Sequence, residues 1–362
     1  MRILAWVLAA LVVAALVALA GASAFRVQIA EHLFARAVKE NIARPLAAGE
    51  ADGIHVFVCG SGTPMPDPLR AGPCIAVIAG GQHLVFDAGT GGIRTLTRMG
   101  YPVGRLDAAF LTHLHSDHID GLGELLLQAW INGGRGTPLP VYGPAGVDDV
   151  VGGFNAAYRI DSLYRTAHHG PRIANPSGTG GAPVPIVLPS GPGGQGVVYD
   201  QGGVTVTAYR VEHAPVEPAF GYRIDYKGRS VSISGDTVYS PNLVAVSQGV
   251  DLLFHDALNA DMVLAMQAAA DEAGRGGLAI ILGDILDYHA TPADAARAAQ
   301  DAGAGHLVFY HTVPPLPSRA LNALFIKDAK PLFDGPMEVA EDGLLYFLPA
   351  GAGETERRQV LR

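Results

Sequence analysis

At 362 residues, with 46 glycines and 25 prolines, the chain is long enough for one large α/β domain with a full core and too rich in chain-breaking residues for a helical bundle. Its 25 Lys and Arg against 34 Asp and Glu leave a formal charge of -9, which speaks against a nucleic-acid surface held by basic residues. Only two cysteines occur, Cys59 and Cys74; without a zinc-ribbon spacing they read first as small buried apolar residues, with a disulfide as the alternative in an oxidising compartment.

The N-terminus reads as an export signal. Arg2 is followed by an uncharged run, Ile3 to Phe25, made mostly of Ala, Leu and Val. Ala22-Ser23-Ala24 has the small-x-small form of a signal-peptidase site. The run is also long enough to cross a hydrocarbon layer of roughly 30 Å. Residues 1–25 are thus a cleaved signal peptide or an uncleaved membrane anchor, with equal claim. Either puts the remainder outside the cytoplasm, in a periplasm or tethered to the inner membrane. Residues 26–52 read as a helical stalk, amphipathic through Ile29, Leu33, Phe34, Ala37 and Val38.

The folded domain is expected over residues 53–350, with 351–362 as a tail. Ile54 to Cys59 predicts a first strand, and Ile75–Ile78 with Leu84–Phe86 a hairpin around Gly80-Gly81. The Asp87-Ala88-Gly89-Thr90 turn leads to a helix ending near Met99. A strand at Ala108–Leu111 runs into a polar turn and a helix to Trp130; a short strand (Pro140–Tyr142) and a helix (Val147–Tyr158) follow. Pro171 to Gly203 is rich in Gly and Pro and reads as a surface excursion. Strands at 204–209, 221–226, 230–234 and 251–254, a helix at 293–302 and a strand at 307–310 complete the series. The order suggests two packed sheets with helices outside.

The polar turn carries the chemistry. Phe110 to Gly121 contains H-x-H-x-D-H, placing His113, His115, Asp117 and His118 within six residues. On extended backbone, His113 and His115 project in roughly the same direction, while Asp117 and His118 lie on the turn beyond. One such turn can feed two neighbouring metal ions. Imidazole with carboxylate suits zinc and tolerates iron or manganese.

Five landmarks follow one another: Asp87 in Phe-Asp-Ala-Gly, the H-x-H-x-D-H, His213, Asp236 in Ser-Gly-Asp-Thr, and His311 after a strand. With them, residues 53–350 resemble the metallo-β-lactamase superfamily. The resemblance implies an αββα sandwich of two mixed sheets and a site for two divalent metal ions, zinc first. It implies one metal on His113, His115 and His213, a second on Asp117, His118 and His311, and Asp236 bridging them. Asp87 would buttress a ligating histidine from behind. Phe254-His255-Asp256-Ala257 and Tyr288-His289-Ala290-Thr291, the latter followed by a helix, narrow the resemblance to the branch of ribonuclease Z and the metal-dependent arylsulfatases. There the corresponding histidine is an extra catalytic group oriented by a carboxylate, roles that would fall here to His289 and Asp256. Asp256 stands where that branch has a glutamate, one methylene longer, so its direct contact with His289 stays open.

A further departure bears on the substrate. Ribonuclease Z enzymes hold tRNA through a long basic, Gly-rich arm between the third histidine motif and the bridging aspartate. Here Asp236 follows His213 by 23 residues, which the hairpin consumes. The grouping of Gly72-Pro73-Cys74, His168-His169-Gly170 and His213 to Pro218 is similar to arylsulfatase-like members; His168 and His169 read either as pocket lining or as a solvated pair. The sequence therefore predicts an exported binuclear hydrolase of sulfate esters, attacking a small-molecule ester with metal-bound hydroxide that Asp117 helps to aim, while His289 protonates the leaving group. Nucleic acid is an unlikely partner in this reading, and the membrane is one only through an uncleaved N-terminus. A phosphodiesterase or ribonuclease Z-type endonuclease is the first alternative; a lactonase or other ester hydrolase, and a non-catalytic binding module, stand behind it. Oligomeric state is not legible.

Overall fold

A computed structural model describes residues 2–42 and 51–361, which divide into an N-terminal unit and a body beginning at residue 47. The N-terminal unit consists of the helices Arg2–Ala24 and Arg26–Ile42. The first is long and apolar enough to cross a membrane by length and composition, and its described side chains are almost all exposed. The second carries an exposed Arg36–Glu40 ion pair one turn apart. The predicted stalk is helical to Ile42; residues 43–50 lie outside the described residues.

The body is a four-layer sandwich. Its strands are β1 (Gly53–Gly60), β2 (Cys74–Ala79), β3 (Gln82–Phe86), β4 (Ala108–Phe110), β5 (Leu139–Gly143), β6 (Gly181–Pro185), β7 (Gln195–Gln201) and β8 (Val204–Val211). There follow β9 (Ala219–Tyr226), β10 (Arg229–Ile233), β11 (Leu252–Leu258), β12 (Leu307–Val313), β13 (Met337–Val339), β14 (Leu344–Pro349) and β15 (Glu356–Gln359). One sheet has the order β15-β14-β1-β2-β3-β4-β5-β6 and the other β13-β12-β11-β10-β9-β8-β7. Both are mixed: β3 to β6 pair in parallel, as do β10 to β13, while the hairpins are antiparallel.

The central strands are buried on both faces, so they read as near-continuous apolar runs rather than alternating ones. In β1, Ile54, Val56 and Val58 join the core between the sheets, while Phe57 and Cys59 face the helices. The inter-sheet core is filled by Phe86, Phe110, Phe220, Tyr222, Phe254 and Tyr310, all at most 1% exposed. The outer face of the first sheet is covered through Ile93, Leu96, Leu122, Leu125 and Val147. The second is covered through Leu243, Ala295, Ala296 and Ala299.

Several expectations are corrected. The Gly/Pro-rich excursion contains β6 and β7, each at the outer edge of its sheet, where a missing N–H or side chain is tolerated. The supposed tail contributes β15, paired with β14. The helix expected to end at Tyr158 runs from Val147 to His169. Cys59 and Cys74, read first as unpaired apolar residues, form a disulfide between β1 and the start of β2.

Candidate metal centre

Strand direction brings the site together. β1, β3 and β4 run one way in the first sheet, and β8, β10, β11 and β12 run one way in the second. Their C-terminal ends form one edge of the sandwich, the edge where α/β folds carry their ligands. Asp87 follows β3, the H-x-H-x-D-H turn follows β4, His213 follows β8 and Asp236 follows β10. Asp256 lies in β11 and His311 in β12.

His311 corrects the expectation of a strand that ends before it. β12 continues to Val313, with a register shift opposite Asp256 and Ala257: Tyr310 pairs with Asp256 and Thr312 with Ala257, leaving His311 as the extra residue. Its φ is +46°, a left-handed conformation costly for a residue with a Cβ. A bulge of this kind re-aims one side chain without ending the strand.

The side chains converge in three overlapping groups: His113, His115, His213 and Asp236; Asp117, His118 and His311; and Asp236, His289 and His311, with the candidate ligand atoms of each group within 4.8 Å of one another. Asp236 Oδ2 faces the first two: it lies 3.3 Å from His311 Nε2, 3.4 Å from His118 Nε2, 3.9 Å from His113 Nε2 and 4.0 Å from His213 Nε2. The seven residues predicted as ligands are thus brought together, and all except the half-buried His115 are buried.

Three of the imidazoles are turned by a partner behind them, whereas His311 Nδ1 is buried without a hydrogen-bond partner among the described residues. Asp87 Oδ2 accepts a hydrogen bond from His118 Nδ1 at 2.8 Å, which fixes the proton there and leaves Nε2 facing the cluster. The same carboxylate accepts from the Thr112 amide (2.8 Å) and hydroxyl (2.9 Å). Thr112 Oγ1 lies 3.1 Å from His113 Nδ1, so one aspartate steadies two rings. His213 Nδ1 donates to the carbonyl of Tyr288 at 2.8 Å. Thr112 and Tyr288 escape the sequence reading. Thr112 is signalled only by standing next to His113, and Tyr288 acts here through its backbone, which no residue type announces.

The electrostatics follow from burial and proximity. Burial drives the His113, His115 and His213 rings below the usual imidazole range, so they are neutral at pH 7 with lone pairs available. Burial opposes charge on His118 and His311 too, but carboxylates outweigh it: Asp236, Asp87 and Asp117 hold His118 well above the usual value, and Asp236 with Asp117 raise His311. Burial would raise the Asp236 and Asp117 carboxyls, yet the same imidazoles hold both low.

The donor set fits divalent cations on observations of the cluster itself. His118 Nε2 and Asp236 Oδ1 are buried with no hydrogen-bond partner, where nearly all such atoms are paired. Five nitrogen ligands and two carboxylates, closely packed and mostly dry, suit cations of the zinc class.

Beside the cluster, His289 Nδ1 lies 3.0 Å from Asp256 Oδ2 and 4.0 Å from Asp236 Oδ2. The short aspartate side chain therefore reaches His289 directly. Asp256 is fully buried, and its carboxyl is held low because His255 and His289 outweigh the effect of burial. His115, Ser116, Asp117, Asp236, His289 and His311, with Pro64 and Tyr288, line an open cavity of about 180 Å³. His168 and His169 end the helix Val147–His169, pack on each other and take no part in that lining.

Comparison with known proteins gives a consistent result. A family described as "Beta-lactamase superfamily domain" matches residues 82–312. Ribonuclease Z of Mycobacterium avium (strain 104) is 36% identical over 265 residues, covering 73% of this chain and 87% of that protein. Ribonuclease Z of Mycobacterium marinum is 35% identical over 265 residues, covering 73% and 88%. Among solved structures, the short form of human tRNase Z superposes with a TM-score of 0.56 at 23% identity, covering 82% of this chain and 99% of that one. The metallo-beta-lactamase fold protein YhfI of Bacillus subtilis gives 0.56 at 22%, covering 81% and 98%.

Proposed function

The chain belongs to the metallo-β-lactamase superfamily, in its ribonuclease Z branch, and is a metal-dependent hydrolase of ester bonds; on that premise we propose that its substrate is RNA, cleaved at phosphodiester bonds by a ribonuclease Z-type endonuclease. This corrects the expectation of a small-molecule ester with nucleic acid an unlikely partner: relatives at 35–36% identity carry the name ribonuclease Z. It also sets the phosphodiester above the sulfate ester. Net charge is a poor guide here because it sums the whole surface, whereas a phosphodiester meets one edge of the sandwich.

The observation that carries the reading is the His289–Asp256 pair, in contact at 3.0 Å, with His289 lining the same cavity as the ligand cluster and Asp256 buried behind it. Sugar alkoxides are poor leaving groups, and a positioned proton donor is what their departure requires. In this reading His113, His115 and His213 would hold one divalent cation and Asp117, His118 and His311 the other, with Asp236 placed to serve either. Two such cations, zinc by the ligand set, would supply Lewis acidity and a water of lowered pKa. Asp117, at the mouth of the cavity, accepts a hydrogen bond from the attacking water and aims it. His289, its Nδ1 held by Asp256, delivers a proton to the departing oxygen. Asp87 and the Tyr288 carbonyl keep His118 and His213 in the tautomers that ligation needs.

We further propose that the domain works outside the cytoplasm. The helix Arg2–Ala24 and the Cys59–Cys74 disulfide support this, since disulfides persist in oxidising compartments. The test of function is a side-by-side assay of the zinc-loaded protein on an RNA oligonucleotide, bis(p-nitrophenyl) phosphate and an aryl sulfate. Cleavage of the first two is expected; hydrolysis of the sulfate alone would overturn the reading.

A further inference from the structure

A second cavity, of about 660 Å³, opens beside the loop that runs from β1 to β2. That loop places Pro64 at the ligand cluster and Asp67 to Ala71 in the wall of this cavity. The other walls leave the same edge of the sandwich. The helix Gly92–Arg98 follows the Asp87 turn, Leu316 and Arg319 come just after β12 with its His311, and Glu341 and Asp342 follow β13. The volume is in the range that accepts a small ligand or a nucleotide unit.

The lining carries one more arginine than it has carboxylates, in a chain that is acidic as a whole. Arg70, Arg94, Arg98 and Arg319 face three carboxylates, Asp67, Glu341 and Asp342. Two of those acids are engaged by the backbone. Asp67 accepts from the amides of Leu69 (2.7 Å) and Arg70 (3.2 Å), and Asp342 from the amides of Ser61 (3.0 Å) and Ala71 (2.7 Å). Arg70 is buried and anchored on the carbonyls of Ala340 and Leu316. Two of the outer guanidiniums, those of Arg94 and Arg319, sit in exposed pairs. Arg94 pairs with Glu124 at 3.1 Å and Arg319 with Glu341, with the arginine side chains 79% and 75% exposed. Pairs with an arginine so exposed hold weakly, and a phosphate can compete for either guanidinium. Arg98 stands one helical turn beyond Arg94 on the same face.

We propose that this cavity is a subsite for the RNA strand flanking the scissile bond, gripping its phosphates through Arg94, Arg98 and Arg319. The assignment rests on the nuclease reading above and extends it. The 23-residue interval from His213 to Asp236 is spent on β9 and β10 and leaves no projecting arm there, so backbone contacts must come from the body of the domain. Guanidinium forks match phosphate oxygens in geometry as well as charge. The three arginines belong neither to the seven clustered ligand-type residues nor to the lining of the cavity those residues open on.

The test compares the zinc-loaded full chain with its Arg94→Gln/Arg98→Gln/Arg319→Gln variant on an RNA oligonucleotide and on bis(p-nitrophenyl) phosphate across a salt series. Each single-strand phosphate contact contributes about 0.7 to the slope of log affinity against log salt, so losing three should lower that slope by about 2. The variant's KM for RNA should rise about tenfold or more at moderate salt, with kcat at saturation and turnover of the small diester unchanged. Unaltered RNA kinetics and salt slope would overturn the subsite while leaving the nuclease reading intact. Equal losses on both substrates would overturn it as well, by assigning the arginines to the fold. A wild-type protein that turns over the diester but leaves RNA uncut would sink the nuclease reading, and the subsite with it.

Discussion

Asp87 has φ +56°, a left-handed conformation uncommon outside glycine, and from it both carboxylate oxygens reach the site: one holds the Thr112 amide, the other Thr112 Oγ1 and His118 Nδ1. Asparagine tolerates that φ and keeps the shape. With its one carbonyl oxygen kept on the Thr112 amide, its NH2 group faces His118 Nδ1 and donates instead of accepting, so the ring's proton is driven toward Nε2, the atom that must ligate. Asp87→Asn should therefore fold normally but bind zinc about 10–100-fold more weakly, as a metal titration would read. His289 makes the complementary case. His289→Ala should keep its metal yet cleave RNA about 10²–10⁴-fold more slowly, with a smaller loss on bis(p-nitrophenyl) phosphate, whose leaving group needs no proton. Loss of metal, or equal losses on both substrates, would contradict the proton-donor role. His118 and His311 predict a pH dependence. Both rings are held above the ordinary imidazole value of 6.5 in the metal-free fold, so their protonated forms stabilise it below that value, and the contribution fades as pH rises through their raised values. Metal must displace those protons. Its apparent affinity should climb with pH by up to about tenfold per unit for each proton released, and the Tm gap between loaded and metal-free protein should widen. Calorimetric titration in buffers of different ionisation enthalpy counts the protons; a count of zero near neutral pH would refute the assignment.

Cys59 and Cys74 close the loop between β1 and β2, and that loop serves both cavities through Pro64 and through Asp67 to Ala71. Cross-links spanning about 15 residues stabilise by about 3 kcal/mol, chiefly by restricting the unfolded chain. Cys59→Ala/Cys74→Ala should lower the unfolding free energy by about that amount and Tm by several degrees in a calorimetric scan, with zinc content unchanged. A Tm indifferent to the substitution would mean that the bond does not form in solution. The elements differ in how legible they are, for physical reasons. β1, β11 and β12 are buried throughout, and their apolar runs announce them. β6 (Gly-Ala-Pro-Val-Pro) and β7 (Gln-Gly-Val-Val-Tyr-Asp-Gln) lie at sheet edges, have their few apolar residues interrupted by Gly and Pro or flanked by polar side chains, and look like loop. The helix Val147–His169 outlasts its apolar stripe: its buried residues are Val147 and Val151, and its C-terminal half is tied down by polar contacts, Ser162 with Thr179 and Thr166 with the Ala174 carbonyl, that no apolar periodicity announces. At the site, the H-x-H-x-D-H turn is legible from spacing alone. His213 and His311 become legible only through the order of landmarks, and the bulge that aims His311 leaves no trace in residue type.

Among the described residues, the apolar clusters of the body draw on positions from Ile54 onward. Two sheets closed over a common core, with a helix layer on each outer face, satisfy the conditions for independent folding. The two N-terminal helices, by contrast, present Leu8, Leu11, Val12, Leu33 and Phe34 to their surroundings, all more than half exposed. Side chains of this kind contribute about 1.5–3 kcal/mol each when removed from water, so a helix lined with them partitions strongly into lipid or detergent. The two units should therefore separate in behaviour. A chain truncated to residues 51–361 should unfold in a single cooperative transition at the Tm of the full-length protein, bind the same number of zinc ions, and retain kcat and KM on both RNA and bis(p-nitrophenyl) phosphate. It should move from the detergent phase to the aqueous phase in a cloud-point partition, while the full chain stays with detergent. A truncated protein that aggregates or loses zinc would show that the sandwich depends on the N-terminal helices, and would remove the basis for treating them as a separable anchor.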